Sequence, residues 1–115
     1  MAEYSENLNG LFQALGDPTR REVLARLARG PASVSDLAAP FDMALPSFMK
    51  HIRQLESSGW ITSRKVGRIR TCAIEAERFA EAQGWLEGQR LVWEHRTDRL
   101  ERFVTEQVND DKEKK

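Results

Sequence analysis

The sequence holds one cysteine, Cys72, among 115 residues, so no disulfide can close within a chain and one copy cannot assemble a thiol-rich metal site. Histidine is nearly as scarce, with only His51 and His95. Long apolar runs are missing too, since nothing approaches the ~20 residues that a bilayer-spanning helix needs. The opening "MAEYSENLNG" lacks the basic start and apolar segment of an export signal, so a cytoplasmic protein without membrane contact is expected. Net charge is absent as well, because 18 basic residues balance 18 acidic ones. Taken whole, that balance argues against a polyanion binder. What is present, 40% hydrophobic and 31% charged residues, fits one compact domain with a modest core. That domain is expected over 1–108, with a disordered tail over 109–115.

The charge is unevenly placed. From Leu45 to Arg70 the basic residues Lys50, Arg53, Arg64, Lys65, Arg68 and Arg70 stand against a single acid, Glu56. From Thr71 onward, 11 acids outnumber 8 bases. A contiguous basic block sets an electrostatic footprint whatever the overall isoelectric point.

Helical spacing organises the first half. In "YSENLNGLFQALG", Tyr4, Leu8, Leu11, Phe12 and Leu15 recur on one side, and Gly16 suits the left-handed position past a helix end. "DPTRREVLARLARG" offers Asp17 as a cap, Pro18 at the first helical position, Val23, Leu24 and Leu27 on one side, and Gly30-Pro31 as a stop. "SVSDLAAPF" reads as a shorter helix started by Ser33, with Val34, Leu37 and Ala38 inward. In "LPSFMKHIRQLESSGW", Phe48, Ile52 and Leu55 fall within about 60° of one another. Ser47, Lys50, Arg53, Gln54 and Ser57 spread over the far side, and Gly59 ends the helix. Pro46 suits a first turn, although neither Ala44 nor Leu45 is a good cap. Two short helices joined by a tight turn, the second with an apolar back and a donor-rich front, describe a helix-turn-helix.

"WITSRKVGRIRTCAI" alternates instead. Gly67 at the first central position suits a type II′ turn and a hairpin that sets Lys65 opposite Arg70 and Ile61 opposite Ile74. Like charges placed opposite each other weaken an isolated hairpin, and they make sense beside a polyanion. The fold expected is mainly α with a small β-hairpin wing, a winged helix-turn-helix. Its second helix would enter the DNA major groove, with Arg68 at the wing tip near the backbone or minor groove. The DNA-contacting set is Ser47, Lys50, Arg53, Gln54, Arg64, Lys65, Arg68 and Arg70.

The pieces "LFQALGDPTRREVLARL", "SVSDLA", "MALPSFMKHIRQLESSGWI" and "RKVGRIRTCAI" together resemble the ArsR/SmtB family of bacterial transcriptional repressors, from about Leu8 to Ile74. The resemblance implies dimers that bind an inverted-repeat operator and block transcription. "WLEGQRLVWEHRTDRLERFV" is similar to the C-terminal helix of a branch that lacks known metal sites. Two departures stand out. Family members often carry a DNA-contacting serine where this chain has Met49, which either packs on the helix flank or touches a thymine methyl. The cysteine pair or aspartate-histidine pattern of the metal-sensing members is also missing.

The last third reads as an interaction surface. A short helix from Glu75 to Gln83 is expected to be interrupted at Gly84 and followed by a helix of about 24 residues. Leu86, Trp93 and Leu100 stand seven apart on it, and such a face is too apolar to lie bare on a small monomer. Together with the resemblance, this points to a two-fold dimer built by Leu8, Leu11, Phe12, Trp85, Leu86, Trp93, Leu100 and Phe103; the alternative is a helix folded back on its own domain. No metal and no cofactor is expected. His51 sits beside an apolar stripe, where hydrogen-bonded packing is commoner than ligation, and His95 with Asp98 and Glu94 is a poor zinc set. Cys72 falls in a strand, where inert packing is the default. No phosphate loop and no nucleophile with its base is evident, so no enzyme is expected. The reading is a DNA-binding regulator whose partners are double-stranded DNA and a second copy, with no effector identifiable. The alternative is a winged-helix interaction module whose basic wing binds an acidic partner.

Overall fold

A computed structural model describes residues 2–113, with side chains from 7 to 107; Tyr4 of the first helical stripe therefore lies outside the described side chains. The chain groups into two compact units, Met1–Ala82 and Gln83–Lys115. The elements run α1 (Ala2–Ala14), α2 (Pro18–Leu27), β1 (Ala32–Ser33), α3 (Val34–Ala38), α4 (Leu45–Ser58), β2 (Ile61–Val66), β3 (Ile69–Ile74) and α5 (Ala76–Glu113). The first unit is thus mainly helical with a small antiparallel sheet, as the spacing predicts.

The apolar stripes meet in one core. Leu8 and Leu11 of α1, Val23, Leu24 and Leu27 of α2, Leu37 of α3, and Phe48, Ile52 and Leu55 of α4 are all buried, together with Trp60, Ile61 and Cys72. Phe79 of α5 meets Trp60 edge to face, with ring centroids 6.2 Å apart, and Ala82 joins the core.

Helix α1 ends differently from the expectation. Gly16 does not adopt a left-handed conformation; the glycines that do, at positive φ, are Gly30, Gly59 and Gly67. A left-handed cap exists to satisfy the last carbonyls of a helix, and here other groups do so. The Leu11 carbonyl accepts from the buried Trp60 indole N–H at 2.7 Å, the Ala14 carbonyl from Arg20 Nε at 2.7 Å, and the Gln13 carbonyl from the Gly16 N–H at 3.0 Å. The end of α1 is therefore stitched to α2 and to the start of β2.

Helices α2 and α3 start as their sequences suggest. Asp17 accepts from the Arg20 backbone N–H at 3.1 Å, with Pro18 opening α2, and Ser33 Oγ accepts from the Asp36 N–H at 3.1 Å. Helix α4 starts after Ala44 without a side-chain cap and ends at left-handed Gly59.

The sheet order is β1-β3-β2. The hairpin keeps the expected register, with Lys65 opposite Arg70 and Ile61 opposite Ile74. Gly67 has φ of 63° while Arg68 stays at negative φ, the signature of a type II′ rather than a type I′ turn. Strand β1 was not anticipated: Ala32 pairs with Cys72 and Ser33 with Thr71, a bridge too short to leave an alternating pattern.

The second unit is helical, and α5 runs unbroken from Ala76 to Glu113. Gly84 does not interrupt it. A lone glycine costs only about 1 kcal/mol relative to alanine in a helix, and the Ala, Glu, Gln, Leu and Arg residues around Gly84 and Gly88 propagate the turn. Arg90 spans Glu87 at 2.5 Å and Glu94 at 2.6 Å along the same helix face and adds support there. The helical backbone also covers residues 109–113 of the expected tail, while 114–115 lie outside the described residues.

The cap at Asp17 has a pH signature. Burial works to raise its carboxyl, but the Arg20 N–H bond and the charges of His51 and Arg20 outweigh it and hold it below the ordinary value of 3.8. A depressed folded pKa stabilises the native state above the unfolded value, and the stabilisation is lost as pH falls through the folded one. Asp17→Ala should cost about 1 kcal/mol at neutral pH. Paired urea titrations should show the gap between wild type and variant closing as the pH falls through and below the ordinary carboxylate range.

Candidate nucleic-acid interface

Helix α4 divides its residues sharply. Its back, Phe48, Ile52 and Leu55, is fully buried, and Ser47, Lys50, Arg53 and Gln54 on the other side are exposed. Met49 lies between these faces, half-buried and packed against the core, so of the two roles open to it the structure supports packing.

The wing supplies the second cationic surface. Arg64, Lys65 and Arg68 are exposed, while Arg70 is half-buried and donates to Ser63 Oγ at 2.8 Å. Strand alternation places Lys65 and Arg70 on the face that carries Ile61 and Cys72, and Arg64 on the opposite one. The structure thus separates Arg64 from its two neighbours in the sequence block. Lys65, Arg68 and Arg70 line an open groove together with Leu45 and Met49 of α4 and the start of α3, where Asp36 is the one acid. Val66 and Ile69 pair across the hairpin end and are both exposed, giving the tip an apolar as well as a basic character.

Behind the donor face lies a contact that sequence reasoning missed. Arg20 of α2 donates through Nη1 to Gln54 Oε1 and, at 3.2 Å, to His51 Nδ1. His51 Nδ1 also stands 3.6 Å from Asp17 Oδ2. The hydrogen-bonded packing role expected for His51 is therefore the one observed. Arg20 is separated by 34 residues from Gln54, and no periodic pattern links the two positions.

Cys72 is completely buried in β3. Burial pushes its thiol pKa up, Glu56 adds to the rise, and Arg70 opposes it, so the group remains a neutral thiol near pH 7. Among the described residues no group of three His, Cys, Asp or Glu side chains is placed to hold a metal ion, and no helix is long and apolar enough to cross a membrane.

A sequence-family model described as a helix-turn-helix domain matches residues 15–64. The crystal structure of an ArsR family transcriptional regulator is 67% identical, with a TM-score of 0.75 over 82% of this chain and 97% of that one. The chain belongs to the ArsR family of transcriptional regulators. Transcriptional repressor SdpR of Bacillus subtilis is 27% identical over 79 residues, covering 69% of this chain and 88% of that protein. A homodimeric winged helix-turn-helix DNA-binding domain from Mycobacterium bovis is 24% identical with a TM-score of 0.62, over 82% of this chain and 85% of that one, a likeness of fold. This ArsR-family chain is accordingly a DNA-binding transcriptional regulator and not an enzyme, and the interaction-module alternative is set aside.

Two residues named for the dimer interface are spent elsewhere. Leu8 is 7% exposed and Leu11 0%, so both pack inside their own chain and offer a partner almost no surface. Phe12 is half-buried, whereas Trp85, Leu86, Trp93, Leu100 and Phe103 on α5 are exposed. The helical periodicity of the first segment signals burial, and it does not say whether the covering surface belongs to the same chain.

Proposed function

We propose that this ArsR-family regulator is a cytoplasmic homodimeric repressor that binds an inverted-repeat operator and does so without a metal ion. The observation that carries this reading is the exposed donor set Ser47, Lys50, Arg53 and Gln54 on a helix whose back is fully buried. Helix α4 enters the major groove, where arginine, lysine and glutamine reach base edges. The wing cations Lys65, Arg68 and Arg70 hold phosphates or the minor groove beside it, and Arg64 reaches the backbone from the other strand face.

Dimerisation falls to α5. At 100° per residue, Trp85, Leu86, Val92, Trp93, Leu100, Phe103 and Val104 gather on one side of the helix, flanked by the Glu87, Arg90 and Glu94 ion pairs. Trp93 is 69% exposed and Leu100 63%, a stripe that a second copy would cover. A dimer then sets two α4 helices at the half-site spacing of a palindrome.

Helix and wing should separate by the kind of loss they suffer. Gln54→Ala or Arg53→Ala should narrow the gap between a selected operator and a scrambled duplex. Arg68→Ala should weaken both and lower the salt slope by roughly one unit, as read from affinities at several salt concentrations. Equal losses on both duplexes for all variants would mean that α4 reads no sequence.

The wild type should be a dimer at micromolar concentration by light scattering. Trp93→Asp and Leu100→Asp should yield monomers that lose operator binding with the wing untouched; a purely monomeric wild type would refute the assignment. Zinc, cadmium or arsenite at low micromolar levels should leave operator affinity unchanged in an anisotropy titration. Release that disappears in His95→Ala or Cys72→Ser would establish metal control instead.

A further inference from the structure

Arginine has five N–H donors and no acceptor, which settles one assignment that heavy-atom positions alone leave ambiguous. The side-chain atom of Gln54 that faces Arg20 Nη1 must be the carbonyl oxygen, so the NH₂ of that amide points away from Arg20. Arg20 is itself held at its other end: Nε donates to the Ala14 carbonyl at 2.7 Å and Nη2 to the Gln13 carbonyl at 3.5 Å. One guanidinium thus ties the fixed end of α1 to two residues on successive turns of α4.

This constraint changes what Gln54 can say to DNA. A free glutamine reads adenine with both ends of its amide, accepting from N6–H and donating to N7. The oxygen keeps a second lone pair, but it is turned inward to Arg20, so the two amide hydrogens are what the side chain presents outward. They match positions that present acceptors alone, the O6 and N7 of guanine or the O4 of thymine, and they have no partner for the N6–H of adenine. The lysine and arginine beside Gln54 on α4 are donors only, and Gln54 clamped in this way joins them.

We propose that Arg20 is a positioning residue for operator reading: by holding the Gln54 carbonyl inward it makes Gln54 a donor-only reader, selecting guanine or thymine over adenine at the base it contacts. The proposal rests on the reading of α4 as the base-contacting helix.

The test begins with an operator selected from random DNA and then varied to all four bases at every position. Affinities are measured for wild type, Arg20→Ala, Arg20→Lys, Gln54→Ala and the Arg20→Ala/Gln54→Ala double variant. At the position whose preference Gln54→Ala abolishes, wild type should favour guanine or thymine over adenine by about tenfold, the scale of one good base contact. Arg20→Ala should reduce that ratio to below about threefold by admitting adenine, while preferences at other positions persist. The double variant should show the base preferences of Gln54→Ala alone. Where guanine is the preferred base, replacing it with 7-deazaguanine should weaken wild type and leave Gln54→Ala unchanged.

A second measurement does not depend on any variant folding. In the free wild-type protein, nitrogen-15 relaxation of the Gln54 side-chain amide should report an order parameter close to that of the α4 backbone, and a freely mobile amide overturns the proposal. An unchanged guanine or thymine preference in folded Arg20→Ala and Arg20→Lys also overturns it, leaving Arg20 a structural residue only. If Gln54→Ala alters no base preference at any position, base reading by Gln54 fails and takes the proposal with it, an outcome distinct from the other two.

Discussion

The burial of one side of α4 governs the rest of the molecule. Phe48, Ile52 and Leu55 are completely removed from water, and each such side chain stabilises by roughly 1.5–3 kcal/mol. Because successive residues stand 100° apart, turning the helix by a single position would carry Lys50 or Arg53 toward the core, where an unpaired charge costs several kcal/mol. The apolar back therefore dictates which donors face outward. The outward donor face is fixed by residues that take no part in it.

The same logic explains what could be read from the chain and what could not. Helix α4, its glycine stop and the hairpin register were legible because each depends on neighbours in sequence: a 3.6-residue apolar period, a left-handed residue at Gly59, a turn at Gly67. The end of α1 was misread because Trp60 and Arg20, both remote in sequence, take over the work of a left-handed Gly16. The β1 bridge is two residues long and has no periodicity to show. Gly84 looked like a break because glycine is a poor helix former, yet the helix around it is long enough to absorb the cost. At the candidate interface, the exposure of the α4 donors follows from amphipathicity alone. The division of Arg64 from Lys65 and Arg70 needed the strand faces, and Arg20 needed the tertiary structure.

A chain of zero net charge can still attract a polyanion when its charges are segregated. Between Leu45 and Arg70 the one acid is Glu56, which is half-buried, and the cations of that stretch are exposed apart from Arg70. Acidic side chains predominate beyond the sheet. Segregation of this kind suits a polyanion held at one basic stretch, without the indiscriminate adhesion of a strongly basic protein.

Cys72 is completely enclosed, and its β3 backbone is paired on both sides, with Ala32 of β1 and with Ser63 of β2. A thiol in that position is out of reach of an alkylating reagent until the core packed on that face of the sheet opens, so its rate of modification reports how often that packing parts. With a single cysteine in the chain, the label needs no engineering and falls on one site. The residue that rules out a disulfide makes the wing root its own stopwatch.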